Sequence, residues 1–318
     1  MSVGAAAGYS NLPNGKWNPS IYSQKVLKFF RRSSVAEAIT NTDYAGEIEN
    51  FGDTVKIIKE PTVTVSAYTR GAVVNTEDLT DTEITLTVDQ GNYFAFKVDD
   101  IEERQSHVNW ESLSTSSGAY GLKKAYDYNI LKEINDNAAT DATSIGSAGS
   151  AISCNTGDEA ADYLSAFARL LDENDVPEDN RWIVANPQFY EMLRKASAKL
   201  MDASVTGENM SALMNGAVTS RKIHGFSLYQ SNVITVGTAG VAASHTFGPS
   251  TTSGETIVLG GHMSAVATAS HIAKTEVIRD PDSFADIVRG LHVFGRKVLR
   301  GSGSGFKGVF KGVPDLNT

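Results

Sequence analysis

The constraint that most limits how this chain can fold is a long period-two block that cannot build a core by itself. Residues 52–99 alternate apolar and polar side chains at Val55/Ile57, again at Val63/Val65 beyond Pro61, then at Ile84/Leu86/Val88 and at Phe94/Phe96/Val98. Alternation at every second position marks half-buried strands, and Asp89-Gln90-Gly91-Asn92 supplies turn chemistry between the last two runs. Residues 71–81, with Glu77, Asp78 and Asp81, read as the polar tip of a long hairpin, and Pro61 marks an edge or a bend. The pattern predicts a two-stranded ribbon, 54–70 against 82–98. A ribbon of two strands is marginal in water unless it lies across another surface. The sequence leaves open whether that surface belongs to the same subunit or to a neighbour.

The segments around the ribbon have their own signals. Residues 1–50 read as an arm, rich in Gly, Pro and Asn up to Pro19. Ser20 then caps a short helix that carries Ile21, Val26, Phe29 and Phe30 on one face. A helix this short needs a surface to cover its apolar stripe. After the ribbon, Ala119, Leu122, Tyr126, Ile130 and Ile134 recur at helical spacing and predict the longest helix of the chain, ending near Asn137. A Gly- and Ser-rich stretch, 139–157, reads as a linker. Beyond it an α/β unit is expected. Its first helix is built on Ala160, Leu164, Phe167 and Leu171, and a strand follows at RWIVANP. A second helix is capped by Asn186 with Pro187 at its first position and runs on through PQFYEMLRKASAKL, and further strands fall at IHGFSLYQSN and ETIVLGG. After a turn at Asp280-Pro281 the apolar residues fit a strand or a helix equally well.

Charge is distributed unevenly. Of 318 residues, 28 are basic and 37 acidic. Residues 1–42 carry Lys16, Lys25, Lys28, Arg31 and Arg32 against Glu37, and residues 290–318 carry Arg296, Lys297, Arg300, Lys307 and Lys311 against Asp315. The interior therefore holds 18 basic and 35 acidic residues. An acidic body with basic ends is poorly suited to reading a DNA groove, where phosphate neutralisation supplies much of the affinity. Basic ends can instead reach acidic surfaces, including other copies of the same body. No run approaches the length of a membrane-spanning helix, and the N-terminus lacks the pattern of a secretory signal.

Catalytic motifs are weak throughout. A formal G-x-G-x-x-G at Gly303, Gly305 and Gly308 is followed by only ten residues, too few for the strand–helix–strand unit that a dinucleotide requires. His107, His224, His245, His262, His271 and His292 show no metal-ligand spacing. The single Cys154 has no basic neighbour and reads as an incidental thiol. Three acidic groups, around Asp99–Glu103, Asp172–Asp179 and Asp280–Asp286, suit helix caps and solvated turns. No catalytic, metal or cofactor residue is assigned, and no enzyme activity is expected.

The order of elements is more specific than any motif. NTDYAGEIENFGDTVKI leading into the ribbon, VDQGNYFAFKVDDIEERQ leaving it, VPEDNRWIVANPQFYEMLRKA, KIHGFSLYQSN and DPDSFADIVRGLHVFGRKVL together resemble the major capsid proteins of tailed bacteriophages, from about Tyr22 to Leu299. The resemblance implies an α+β chain of the Hong Kong 97 fold. Its parts would be an N-arm (1–50), an extended E-loop ribbon (51–98), a spine helix with P-domain (99–154), an A-domain (155–275), and return strands of the P-domain with a C-terminal tail (276–318). It implies self-assembly through hexamers and pentamers into an icosahedral shell around packaged double-stranded DNA, bound without sequence specificity. Scaffolding, portal and decoration proteins are the implied partners, the host cytoplasm the implied site of assembly, and the virion capsid the implied location. No membrane is involved. The residues expected to touch other copies are Ile21, Val26, Phe29, Phe30, Arg31 and Arg32 on the arm. On the ribbon they are Val63, Val65, Tyr68, Arg70, Glu77, Asp78, Ile84 and Leu86. An encapsulin-type nanocompartment shell is the alternative of the same fold, and a soluble hydrolase or binding module the remote one.

Overall fold

A computed structural model describes residues 34–44, 54–61, 63–71, 73, 76–78, 83–100, 110–195, 222–237, 245–249, 254–303 and 307–316. The arm helix expected from Ser20 lies outside these residues up to position 33. What is described is a short helix α1 (Ala36–Ile39), with Val35, Ala36 and Ile39 buried.

The predicted long helix is α2 (Trp110–Asn137), 28 residues. Tyr126, Ile130 and Ile134 are buried on it as the spacing requires, and Ala125 and Leu131 join them. Ala119 is exposed and Leu122 only half-buried, so the apolar stripe is shorter than expected. The N-terminal half of α2 packs by a different device. An added Cβ at Gly118 would stand 2.7 Å from the Phe94 ring, and one at Gly290 would overlap the same ring. Phe94 is therefore slotted between two backbones that approach closely only because both positions are glycine.

The segment after Asp280-Pro281 is a strand. β8 (Val266–Arg279) and β9 (Ala285–Val298) form a long hairpin, and β3 (Gln90–Asp99) pairs antiparallel with β9 from Gln90↔Phe294 to Asp99↔Ala285. This corrects the expected ribbon. Among the described residues of the ribbon, only β1 (Thr54–Ile58) and β2 (Glu83–Thr87) pair, in the register Thr54↔Thr87 to Ile58↔Glu83. The Phe94/Phe96/Val98 run leaves the ribbon because its apolar face finds α2, and because β9 offers partners for all ten of its residues. The Val63/Val65 alternation is not a strand either. Past Pro61, which has no N–H to give a ladder, the described residues of both legs are irregular.

The root of the ribbon lies on its own subunit. Val55, Leu86 and Val88 pack with Ala267, Ala269 and Val293 on the sheet face opposite α2. Gly295 makes this approach possible, since a Cβ there would stand 2.6 Å from the Thr87 carbonyl oxygen.

A second sheet forms the α/β unit, in the order β10-β7-β5-β6, with β5 (Arg181–Ala185), β6 (Ser227–Gln230), β7 (Val258–His262) and β10 (Val309–Gly312). All five residues of β5 are buried. Ile183 and Ala185 face helices α3 (Gly157–Asp172) and α4 (Pro187–Leu193), while Trp182 and Val184 face the core that contains Ile130 and Ile134 of α2. The Asn186 side chain accepts from the Phe189 amide at the start of α4, as predicted. At the start of α3, Thr156 and Glu159 form a capping box, with Thr156 in the stretch expected as linker. α4 stops at Leu193, well short of the expected 14-residue run. The expected linker is structural: Ile145 and Cys154 are fully buried, and β4 (Ile152–Ser153) pairs parallel with β11 (Pro314–Asp315). Within residues 276–318, expected as return strands followed by a tail, β9 lies in one sheet and β10 at the edge of the other.

Replacing an exposed helical glycine with alanine stabilises a helix by about 1 kcal/mol. Gly118→Ala is expected to do the reverse here, destabilising by about 1–3 kcal/mol through collision with Phe94. In a Phe94→Ala background the sign should return to stabilising. Chemical denaturation of the four proteins of this cycle checks it.

Candidate functional site

Cys154 and His292 are packed among the fold's own side chains. Burial pushes the Cys154 thiol up to about 12, with Glu159 and Asp315 adding to the effect. Burial also lowers His292, whose ring stacks on Phe294 and meets the Ser270 hydroxyl at 2.8 Å. Among the described residues no three His, Cys, Asp or Glu side chains are grouped to hold a metal ion. No described helix is long and apolar enough to cross a membrane.

Asp127, on the face of α2 turned toward α1, accepts hydrogen bonds from the Ser34 hydroxyl, the Val35 amide (3.3 Å) and the Ala36 amide (3.2 Å). α1 has no cap of its own, so a carboxylate from another helix takes the place of one. Burial raises the Asp127 carboxyl above its ordinary range, against the opposing pull of these donors and of Lys123. Thr40 bonds the Thr268 hydroxyl at 3.0 Å, and Asn41 exchanges backbone hydrogen bonds with Val266 and Thr268 of β8. The chain is thus fastened to the body at 34–41, and whatever precedes Ser34 leaves from that point.

Among the described residues, the main uncovered apolar features are three. The first is the ribbon beyond its root: Val63, Val65, Tyr68 and Val73 are exposed, Val65 by 94 %. The Thr64 amide and hydroxyl donate to the Glu77 carboxylate at 3.0 and 3.2 Å, which ties the two legs together without a β ladder. The second is the face of the three-stranded sheet away from α2. Tyr93, Ala95, Ile287 and Leu291 line a shallow recess there of about 590 Å3, bordered by Lys274, Glu276 and Arg289. Glu276 accepts from Arg289 at 2.8 Å and pairs with Lys274, and these contacts hold its carboxyl down at about 2. The third is the β8–β9 turn, where Phe284 is 79 % exposed.

Of the residues expected to meet other copies, Val63, Val65, Tyr68, Arg70, Glu77 and Asp78 are exposed on the ribbon. Ile84 is half-buried opposite Ile57. Leu86 is a correction: it is fully buried in the chain's own core at the ribbon root and is not available to a neighbour. Ile21, Val26, Phe29, Phe30, Arg31 and Arg32 lie outside the described residues. Sequence reasoning missed Val73, Tyr93, Leu291 and Phe284. Tyr93 was within reach, because alternation places it opposite the Phe94/Phe96/Val98 face. Leu291 was not, since its strand could equally have been a helix.

Comparison with known proteins agrees with this layout. Residues 82–312 match the family model described as phage capsid protein. The fold is similar to a solved structure from Mycobacterium phage Che8, with a TM-score of 0.77 and 25 % identity over 94 % of this chain and 98 % of that one. It is also similar to the capsid of cyanophage P-SCSP1u, with a TM-score of 0.68, 17 % identity and 93 % of both chains covered. The mature capsid of bacteriophage PhiM1 aligns with a TM-score of 0.66 at 16 % identity, over 97 % of this chain and 98 % of that one. A search of curated proteins finds no match.

Two outcomes follow from the internal groups. Cys154 should resist alkylation at pH 8 in the native protein and react fully in denaturant, as intact-mass measurement would read. Asp127→Ala leaves two amides and a hydroxyl without their acceptor, at a cost of about 1–3 kcal/mol. Hydrogen exchange should quicken at Val35 and Ala36 while strand β5 keeps its protection, and Asp127→Asn should retain most of the slow exchange.

Proposed function

The chain belongs to the phage capsid protein family, and from that premise we propose how its copies hold together in the shell they form. As a structural capsid protein it is located in the virion. Each copy's ribbon lies over an adjacent subunit, with Val63, Val65, Tyr68 and Val73 turned toward it and Arg70, Glu77 and Asp78 fixing the register. The observation that carries this reading is the contrast within one hairpin. Its root is buried on its own sheet, while the apolar residues beyond Pro61 are left in water. The receiving surface we assign is the open sheet face of the neighbour, around Tyr93, Ile287 and Leu291. Its Lys97, Lys274 and Arg289 complement the acidic ribbon tip.

The arm, through Ile21, Val26, Phe29 and Phe30, covers a different copy. In domain terms, 1–50 is the N-arm, the ribbon is 51–89, and β3, α2, β8 and β9 form the P-domain. The sheet around β5, with β10 at its edge, is the A-domain. Hexamers and pentamers are the expected intermediates. Individual contacts are modest, but each copy makes several and closure multiplies them. Scaffolding, portal and decoration proteins are further partners in this reading, and assembly takes place in the host cytoplasm. The acidic body suits a wall that should not grip the enclosed DNA, because phosphate attraction would impede filling and release.

Deleting residues 67–83 should leave folded, soluble subunits that fail to form shells on electron micrographs. Normal shells from that deletion would remove the ribbon from this account. Purified particles should contain DNA of uniform length, whereas a co-purifying enzyme would point to a nanocompartment instead.

A further inference from the structure

The β8–β9 turn is built as a rigid mount for one aromatic ring. Asp280 accepts the Asp282 amide at 3.1 Å and the Ser283 hydroxyl at 2.6 Å, and it pairs with Lys97. The Asp280 amide donates to the Ala285 carbonyl at 3.0 Å, and the Asp100 amide to the Phe284 carbonyl at 3.1 Å. Arg279 ties Asp100 and Asp286 together at the base of the turn. Phe284 is held out from this frame with 79 % of its surface exposed, although the chain on either side of it is tied into these contacts. The end of the sheet also carries Asp99, Asp100, Asp280, Asp282 and Asp286 against the cations Lys97 and Arg279, so its net charge is negative. A partner for this tip must present an apolar or aromatic group beside positive charge.

One segment of the chain has that chemistry in immediate succession: Lys28, Phe29, Phe30, Arg31, Arg32. It sits just before the point where the chain is fastened to the body. The fastening fixes which tip it can reach. Tyr126, next to Asp127, contacts the His292 ring at 5.3 Å. Phe284 lies eight positions farther along the hairpin strand, roughly 27 Å away at about 3.4 Å per residue. Arg31 is three residues from Ser34 and spans at most about 11 Å of backbone. The basic pair therefore falls short of its own tip.

Resting on the assembly reading above, we propose that the β8–β9 turn of each copy is the docking site for residues 28–32 of a second copy's N-terminal arm. Phe30 packs against Phe284. Arg31 and Arg32 pair with the carboxylates around it, Asp282 foremost, since a guanidinium can bond a carboxylate in a bidentate fork and lie over an aromatic face at once.

The test uses full-length protein in assembled particles. Arg32→Cys and Asp282→Cys are made as separate single variants, co-assembled and oxidised. The native Cys154 is buried, so wild-type particles serve as the blank. The expected result is a disulfide-linked dimer on a non-reducing gel, formed only from the mixture. Adding Phe284→Ala to the Asp282→Cys chain should reduce that dimer several-fold. Shells of normal size that give no dimer would overturn the docking site. Deleting residues 1–32 separates this from failure of the broader reading. Loss of shells with that deletion, alongside no dimer, rejects only the tip as the receptor. Shells that form normally without the arm reject the arm as a contact between subunits altogether.

Discussion

The whole architecture depends on strand β9 having both faces occupied along its second half. Phe294 and Val298 point to α2, where they join Tyr126, Ile130 and Ile134, and Val293 points the other way, into the root of the ribbon. Period two lets one strand serve two cores. β5 repeats the device in the other sheet, with Trp182 and Val184 on one side and Ile183 and Ala185 on the other. Three hydrophobic clusters are thereby linked in a row, from the α/β unit through α2 to the ribbon. A load applied to the ribbon passes into the body through packed side chains rather than through a flexible joint.

That row ends abruptly at both of its outer limits. Beyond Pro61 the ribbon loses its ladder, and beyond Gly290 the open face of β9 loses its cover. In a protein acting alone, exposed Val65, Tyr93 and Leu291 would be a liability, since clustered exposed apolar groups promote association. In the assembly proposed above, the same association is what joins one copy to the next. Association confined to a few apolar positions set among charges can be both specific and reversible during assembly, because each contact is weak until the shell closes. The lone Cys154 is buried in the α/β core, so disulfides contribute nothing to that strength within a subunit.

Much of this was legible in the sequence, and the failures have physical causes. The cap at Asn186, the helical stripe from Tyr126 to Ile134 and the strand at Arg181–Ala185 follow from local chemistry, which tertiary contacts then reinforce. The pairing of β3 was misread because alternation reports which face is buried and not which strand lies alongside. A hairpin partner adjacent in sequence was the cheaper assumption, and β9, nearly two hundred residues away, was the actual one. The Gly- and Ser-rich stretch 139–157 looked like a linker, yet two of its few apolar residues, Ile145 and Cys154, complete the core around Tyr163. Gly118 and Gly290 had no readable signal, because their role exists only through a ring that neither neighbours in sequence. At the candidate surface, exposure of Val63, Val65 and Tyr68 followed from their place in the ribbon. Leu86 followed the same pattern but lay close enough to the root to be absorbed by it.

In the proposed assembly the ribbon beyond Pro61 is open in the free subunit and is covered by another copy in the shell. Hydrogen exchange of peptides spanning residues 61–78, compared between dissociated subunits and intact particles, tests it directly. The expected result is fast exchange in the subunit and strong protection in the particle, with β5 equally protected in both. Equal, fast exchange of that segment in both states would contradict it.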